Sequence, residues 1–181
     1  MDLLYTTNRL NLRTLQVKDA DKVLTFYNRN KNHFEPWESK RPFNFYTLSY
    51  QRASLLIEDE LMKKNSLLRF WVFLRGNSDV IIGTVNFYNI IRGSYSCCQI
   101  GYKLDSRYMN MGYAHEAIKH SMEVLKEEYN LHRIEAKIMP TNLSSIKLIE
   151  RLGFKYEGLS HSSIKINGHW EDHLSYAYIF N

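Results

Sequence analysis

The chain has 181 residues, 44% of them hydrophobic and 24% charged, with a formal net charge of +5. That balance suits one domain over residues 1–181 with a sizeable core, and it excludes a disordered or fibrous chain. No apolar run nears the roughly 20 residues of a membrane helix, and the basic residues are scattered among 19 acidic ones, without the clustered stretch that binds nucleic acid.

Residues 1–4 lack the basic start and long apolar stretch of a signal peptide, so a cytoplasmic protein is expected. Leu10, Leu12 and Thr14 alternate with Asn11 and Arg13, which predicts a first strand. Asp19 suits the first turn of a helix whose apolar stripe is Ala20, Val23, Leu24 and Tyr27. Residues 28–45 are polar and aromatic and hold Pro36 and Pro42; they read as a loop with a short helix near 33–37. Residues 47–64 read as a second helix, with Leu48, Ala53, Leu55, Leu56, Ile57 and Leu61 on a broad apolar face. Strands at 70–74, 80–90 and 95–104 follow, joined by polar turns into an antiparallel meander. Trp71 alternates within the first of these and belongs to the core. Cys97 and Cys98 are neighbours on a strand, point to opposite faces, and can neither bridge each other nor build a zinc site.

The most informative segment comes next. Ile100, Tyr102 and Leu104 alternate as a strand does, then Ala114, Ala117, Ile118, Ser121, Met122 and Leu125 fall on one side of a helix. Between them a short polar turn closes on Gly112. The first four N–H groups of a helix have no partner within it, and the helix dipole favours an anion there. A phosphorylated cofactor is therefore expected at this junction. A strand at 133–139 ends at Pro140, a helix at 142–152 ends at Gly153, and strands at 154–163 and 169–180 pair around Asn167-Gly168, a strong hairpin signal. The order is β-α-α-β-β-β-α-β-α-β-β. A strand–helix–strand unit pairs its strands in parallel, so Leu104 and Met139 end on one side and two helix starts face one crevice.

Leu10-Asn11-Leu12-Arg13, Ile100-Gly101-Tyr102-Lys103-Leu104-Asp105, Met111-Gly112-Tyr113-Ala114, Leu131-His132-Arg133-Ile134-Glu135-Ala136, Asn142-Leu143-Ser144-Ser145, Leu152-Gly153-Phe154 and Ile166-Asn167-Gly168-His169-Trp170-Glu171-Asp172-His173 occur in one order along the chain. Together they resemble the GNAT superfamily of acetyl-CoA-dependent N-acetyltransferases, and within it the branch that acetylates ribosomal-protein N-termini (the RimJ/RimL type). The resemblance implies an α/β (α+β) GNAT fold: a central mixed, mostly antiparallel twisted sheet of about seven strands with helices on both faces. It implies acetyl-CoA as co-substrate, its pyrophosphate held by the backbone of Met109, Asn110, Met111, Gly112, Tyr113 and Ala114. Met109 stands where the family carries Gln or Arg, and Asn110 where relatives often carry Gly; Asn tolerates positive φ better than most residues. The resemblance places the pantetheine arm against Tyr102 and Leu104, with Asn142 on the other side. It puts Ser145 near the sulfur as general acid or thiolate stabiliser.

The general base has no assignment. Many relatives carry Glu just before the Ile-Gly-Tyr run, but here it is Gln99, leaving Glu35, Glu38 and His161 as candidates. Glu35 and Trp37 are the candidate acceptor contacts. His169 and His173 share a strand face but lack a third ligand, so no metal is expected, and His115 and His120 read as solvent-facing. The expected acceptor is a protein N-terminal α-amine, with a small amine (an antibiotic, a polyamine or an amino-acid derivative) as the alternative. A non-catalytic CoA-binding module is a second alternative. Neither membrane nor direct nucleic-acid partners are expected, and a homodimer stays open.

Overall fold

In the computed structural model, which describes residues 2–180, eight strands form one sheet in the order β1-β2-β3-β4-β5-β6-β8-β7. Met1, part of the N-terminal segment read above, and Asn181 lie outside the described residues. The strands are β1 (Leu4–Thr6), β2 (Leu10–Arg13), β3 (Leu67–Leu74), β4 (Ile81–Ile91), β5 (Cys97–Leu104), β6 (Arg133–Ile138), β7 (Lys155–Ile166) and β8 (His169–Ile179). The helices are α1 (Ala20–Arg29), α2 (Lys31–Phe34), α3 (Leu48–Lys63), α4 (Tyr113–Tyr129) and α5 (Leu143–Arg151). Among the described residues only β5 and β6 pair in parallel, and the other pairings are antiparallel.

The sheet is mixed and mostly antiparallel, as expected, but has eight strands rather than about seven. The added β1 is three residues long and pairs with β2, too short for a sequence pattern to register. The loop expected over 28–45 is largely helical to Trp37: α1 runs to Arg29, α2 follows, and Glu35–Trp37 is a 3-10 turn. Buried Asn30 explains the join, since its side chain donates to the Phe26 carbonyl and accepts from the Ser106 N–H. The α3 face is narrower than its sequence suggests. Leu55 and Met62 are buried, whereas Leu56, Ile57 and Leu61 are exposed.

Strand alternation divides two cores. Leu68, Phe70 and Val72 of β3 pack on one face with Ala117, Ile118, Met122 and Leu125 of α4. Trp71 and Phe73 point the other way, to Val23, Phe26 and Tyr27 of α1 and Leu55 of α3. Helices therefore cover both faces, and burial of each large apolar side chain contributes about 1.5–3 kcal/mol. The β7–β8 hairpin turns on Asn167 (φ +48°) and Gly168 (φ +92°), the two positive φ values that a type I′ turn requires. Its tip is held to the α2 region. Asn167 Nδ2 donates to the Glu35 carbonyl at 2.9 Å, and Ser39 Oγ donates to the Lys165 carbonyl at 3.0 Å.

One irregularity positions the site. β5 and β6 pair only at Cys97↔Arg133, Cys98↔Ile134 and Gln99↔Glu135. From Ile100 onward the two strands part.

Candidate active site

The parting strands open a cleft of about 1740 Å³. Its β5 wall has free backbone. The Asp105 N–H donates to the Ile82 carbonyl at 2.8 Å, and ladder bonding alternates along an antiparallel pair. Gly101 and Lys103 therefore turn their amides to β4 and Ile100 turns its own to the last β6 pair, while Tyr102 and Leu104 turn theirs into the cleft. Buried backbone groups need partners, so this wall suits an extended ligand with amides of its own.

The outer end of the cleft is the start of α4. Asn110 (φ +60°) and Gly112 (φ +81°) take left-handed backbone, which coils the turn tightly under the helix. The first bond within α4 runs from the Glu116 N–H to the Gly112 carbonyl, leaving the amides of Tyr113, Ala114 and His115 free to meet an anion. Arg9, unmarked in the sequence reading, braces this turn. Its Nη1 donates to the Met111 carbonyl at 2.9 Å, its Nε to Glu116 at 2.6 Å, and its guanidinium lies 4.5 Å from the Tyr113 ring centre. Burial would raise the Glu116 carboxyl, but hydrogen bonds from Thr7 and Arg9 hold it below its ordinary range. Lys119, Lys147 and Arg151 also line the cleft, and among the described residues they have no ion-pair partner.

At the strand–helix junction the Tyr102 hydroxyl lies 2.8 Å from Ser145 Oγ and donates to the Ser145 carbonyl at 3.3 Å. Burial pushes the Tyr102 phenol up to about 12, the Ser145 bond opposing, so this hydroxyl stays protonated. Asn142 caps α5: its Oδ1 accepts from the Ser145 N–H at 3.2 Å and from Ser144 Oγ at 3.0 Å. Among the described residues its amide nitrogen has no partner and stays free to donate.

The inner end is walled by residues from α2, the hairpin, β3 and β4. Trp37 lines it, 39% exposed. Glu38 lines it too, but it is paired with Lys103 at 2.6 Å and with Arg41. Arg69 is paired with the partly buried Glu58, whose carboxyl burial raises, with Arg69 opposing. Asn86 sits beside Arg69. His173, buried, donates from Nδ1 to the Glu171 carbonyl at 3.1 Å.

The structure thus brings Tyr102, Leu104, Met109, Asn110, Gly112, Ala114, Asn142, Ser145 and Trp37 to one cleft. Met111 and Tyr113 stand behind its wall, engaged by Arg9. Glu35 is off the wall, accepting from the Tyr46 hydroxyl at 2.9 Å. Exposed His161 is bonded to Asp172, and Gln99 borders a separate, smaller cavity, where its Oε1 accepts from Asn89 Nδ2. His115 and His120 line the outer cleft, contrary to the solvent-facing reading, because the cleft extends along the first turns of α4. Arg9, Arg69 and Asn86 carried no sequence signal, since each meets its neighbours through strand pairing or side-chain contact. Among the described residues no three metal-ligating side chains gather.

The Acetyltransferase (GNAT) domain model matches residues 9–155. The probable N-acetyltransferase YjcK of Bacillus subtilis is 37% identical over 162 residues, 90% of this chain and 89% of that protein. The [Ribosomal protein uS5]-alanine N-acetyltransferase of Escherichia coli is 33% identical over 169 residues, 93% of this chain and 87% of that protein. The crystal structure of ribosomal-protein-S5-alanine acetyltransferase from Vibrio fischeri superposes with a TM-score of 0.92 at 34% identity, covering 98% of this chain and 97% of that one. Parted strands, a helix start suited to an anion and these likenesses agree: the chain belongs to the GNAT family of N-acetyltransferases.

Proposed function

We propose that this enzyme acetylates a protein N-terminal α-amine, with acetyl-CoA as donor. The observation that carries the donor is the cleft itself: unpaired amides on β5 lead to a helix start with free N–H groups, beside Lys119, Lys147 and Arg151. A long amide-bearing arm ending in phosphates fits that sequence of partners. The residues that would hold it are Tyr102 and Leu104 along the arm, Asn142 across from them, and the backbone of 109–114 at the phosphates. Acetyl-CoA supplies an acyl group on a good leaving thiol.

The protein's own groups do the rest. A backbone α-amine has a pKa of about 7.7–8.0, against about 10.4 for lysine, so a sizeable fraction is nucleophilic near neutral pH and water suffices to take its proton. The Tyr102 hydroxyl can turn its hydrogen bond from the Ser145 carbonyl to Ser145 Oγ, which leaves the serine O–H free to donate to the departing sulfur, while the proton the amine loses to water balances the one the thiol gains. An N–H of the β5 wall is suited to a developing oxyanion.

For the acceptor, similarity to enzymes that acetylate an alanine of a ribosomal protein supports a peptide. So does charge. Arg41, Arg69 and Lys103 line the inner cleft; the Glu38 carboxylate there is paired with Arg41 and Lys103, and Glu58, off the wall, with Arg69. Among the described residues of the inner cleft a polycationic amine finds no free carboxylate. The test is thiol release from acetyl-CoA against a panel of short peptides and small amines. Turnover with alanine- or serine-led peptides is expected. Turnover only with small amines would overturn the acceptor, and binding of CoA with no thiol release from any amine would overturn catalysis.

A further inference from the structure

Buried polar groups are nearly always paired, because an unpaired one costs about 1–3 kcal/mol. Among the described residues, Asn86 Oδ1 and Arg69 Nε are buried with no partner, and both residues line the inner cleft. They are not scattered. Arg69 of β3 and Asn86 of β4 are direct cross-strand partners, so they stand side by side on one face of the sheet. On the next strand Asn86 faces Gly101 of β5. A Cβ at Gly101 would meet only the Tyr88 ring, at 3.5 Å, so the sheet is bare where the strands begin to part. Arg69 is anchored at its other end by Glu58 through Nη1, and its Nε–H is a buried donor with no partner among the described residues. One acceptor and one donor, adjacent and fixed, border the strand that walls the cleft.

We infer that Asn86 and Arg69 form a subsite for the first residue of a peptide acceptor. Asn86 Oδ1 accepts a hydrogen from the α-amine, and Arg69 Nε–H donates to the carbonyl of that same residue. An α-amine and its own carbonyl are two carbons apart, a separation that cross-strand neighbours can serve together. An alkyl amine or polyamine has the N–H but no carbonyl at that spacing, so it fills half of the subsite. The pair thereby selects α-amines, and leaving its own polar groups unmet penalises the wrong acceptor. This inference rests on the acetyl-transfer reading above.

The experiment compares an alanine-led peptide with the same peptide whose first carbonyl is a methylene, using the wild type, Arg69→Lys and Asn86→Leu. Arg69→Lys keeps a cation for Glu58 but removes Nε–H. The wild type is expected to favour the carbonyl peptide at least tenfold in kcat/KM. Arg69→Lys should bring that ratio close to one by slowing the carbonyl peptide alone. Asn86→Leu should lower kcat/KM at least tenfold for both peptides, with CoA affinity and Tm unchanged; Asn86→Ser serves if the leucine variant does not fold. A wild type indifferent to the carbonyl, an Arg69→Lys enzyme slowed equally on both peptides, or an Asn86 variant of full activity would each overturn the subsite. A wild type that turns over no peptide would instead overturn the acceptor reading itself.

Discussion

At the scale of single residues, the hydroxyl pair Tyr102–Ser145 is the most consequential contact. Its 2.8 Å separation joins a strand residue to the first turn of α5 across the cleft. Ser145→Ala should lower kcat roughly a hundredfold while leaving CoA affinity near that of the wild type, because the hydrogen is needed only as the sulfur departs. Tyr102→Phe should lower kcat less, since Ser145 keeps its own hydrogen. Steady-state kinetics beside calorimetric CoA titration checks both, and equal losses in turnover and affinity would mark Ser145 as a structural hydroxyl. Ser145 was legible through the family resemblance, which also named Tyr102 as a residue along the cofactor arm; that the Tyr102 phenol meets Ser145 was not legible, since the two are 43 residues apart in sequence. Cys98 shows the reverse case: burial pushes its thiol up to about 12, in keeping with the unreactive strand cysteine its sequence suggests.

At the scale of elements, the turn before α4 sets how phosphates meet the helix. Gly112 has φ +81°, and a Cβ there would lie 3.2 Å from Arg9 Nη2. Gly112→Val adds both a branched side chain on left-handed backbone, costing about 1–2 kcal/mol, and a clash with the arginine that braces the turn. CoA affinity should fall at least tenfold in a calorimetric titration, with the fold retained by circular dichroism; unchanged affinity would place the phosphates elsewhere. The strand, turn and helix of this segment were readable because each repeats its own period, two along β5 and 3.6 along α4. Arg9 was not, because it reaches Glu116 from 107 residues away in sequence. The same limit explains β1, specified by its pairing with β2, and α2, joined to α1 through buried Asn30.

At the scale of the molecule, Asp105 ties the parts together. Fully buried at the end of β5, it accepts from Arg29 of α1 at 2.5 Å and from the N–H and side chain of Arg107. Burial alone would raise its carboxyl, but the Arg107, Asn30 and Arg29 hydrogen bonds bring it down to about 2, against 3.8 ordinarily. A folded value below the unfolded one stabilises the protein above about pH 4, and that stability is lost as pH falls toward 2. It amounts to about 2 kcal/mol. Urea unfolding at pH 7 and at pH 2.5 should show this loss in the wild type and a smaller one in Asp105→Asn; identical pH dependence would remove Asp105 as the cause.

By itself the sequence determined the helices and strands with a sustained period, the hairpin at Asn167-Gly168, the parallel β5–β6 unit and the anion-suited start of α4. Those features depend on local periodicity, backbone φ and helix ends, which neighbouring residues dictate. Only the tertiary structure decided where β5 and β6 part, that Glu38 and Glu58 are neutralised by paired cations, and that Asn86 Oδ1 and Arg69 Nε stand together without a partner among the described residues. Those are contacts between distant segments, and strand register, which no local pattern encodes, sets them.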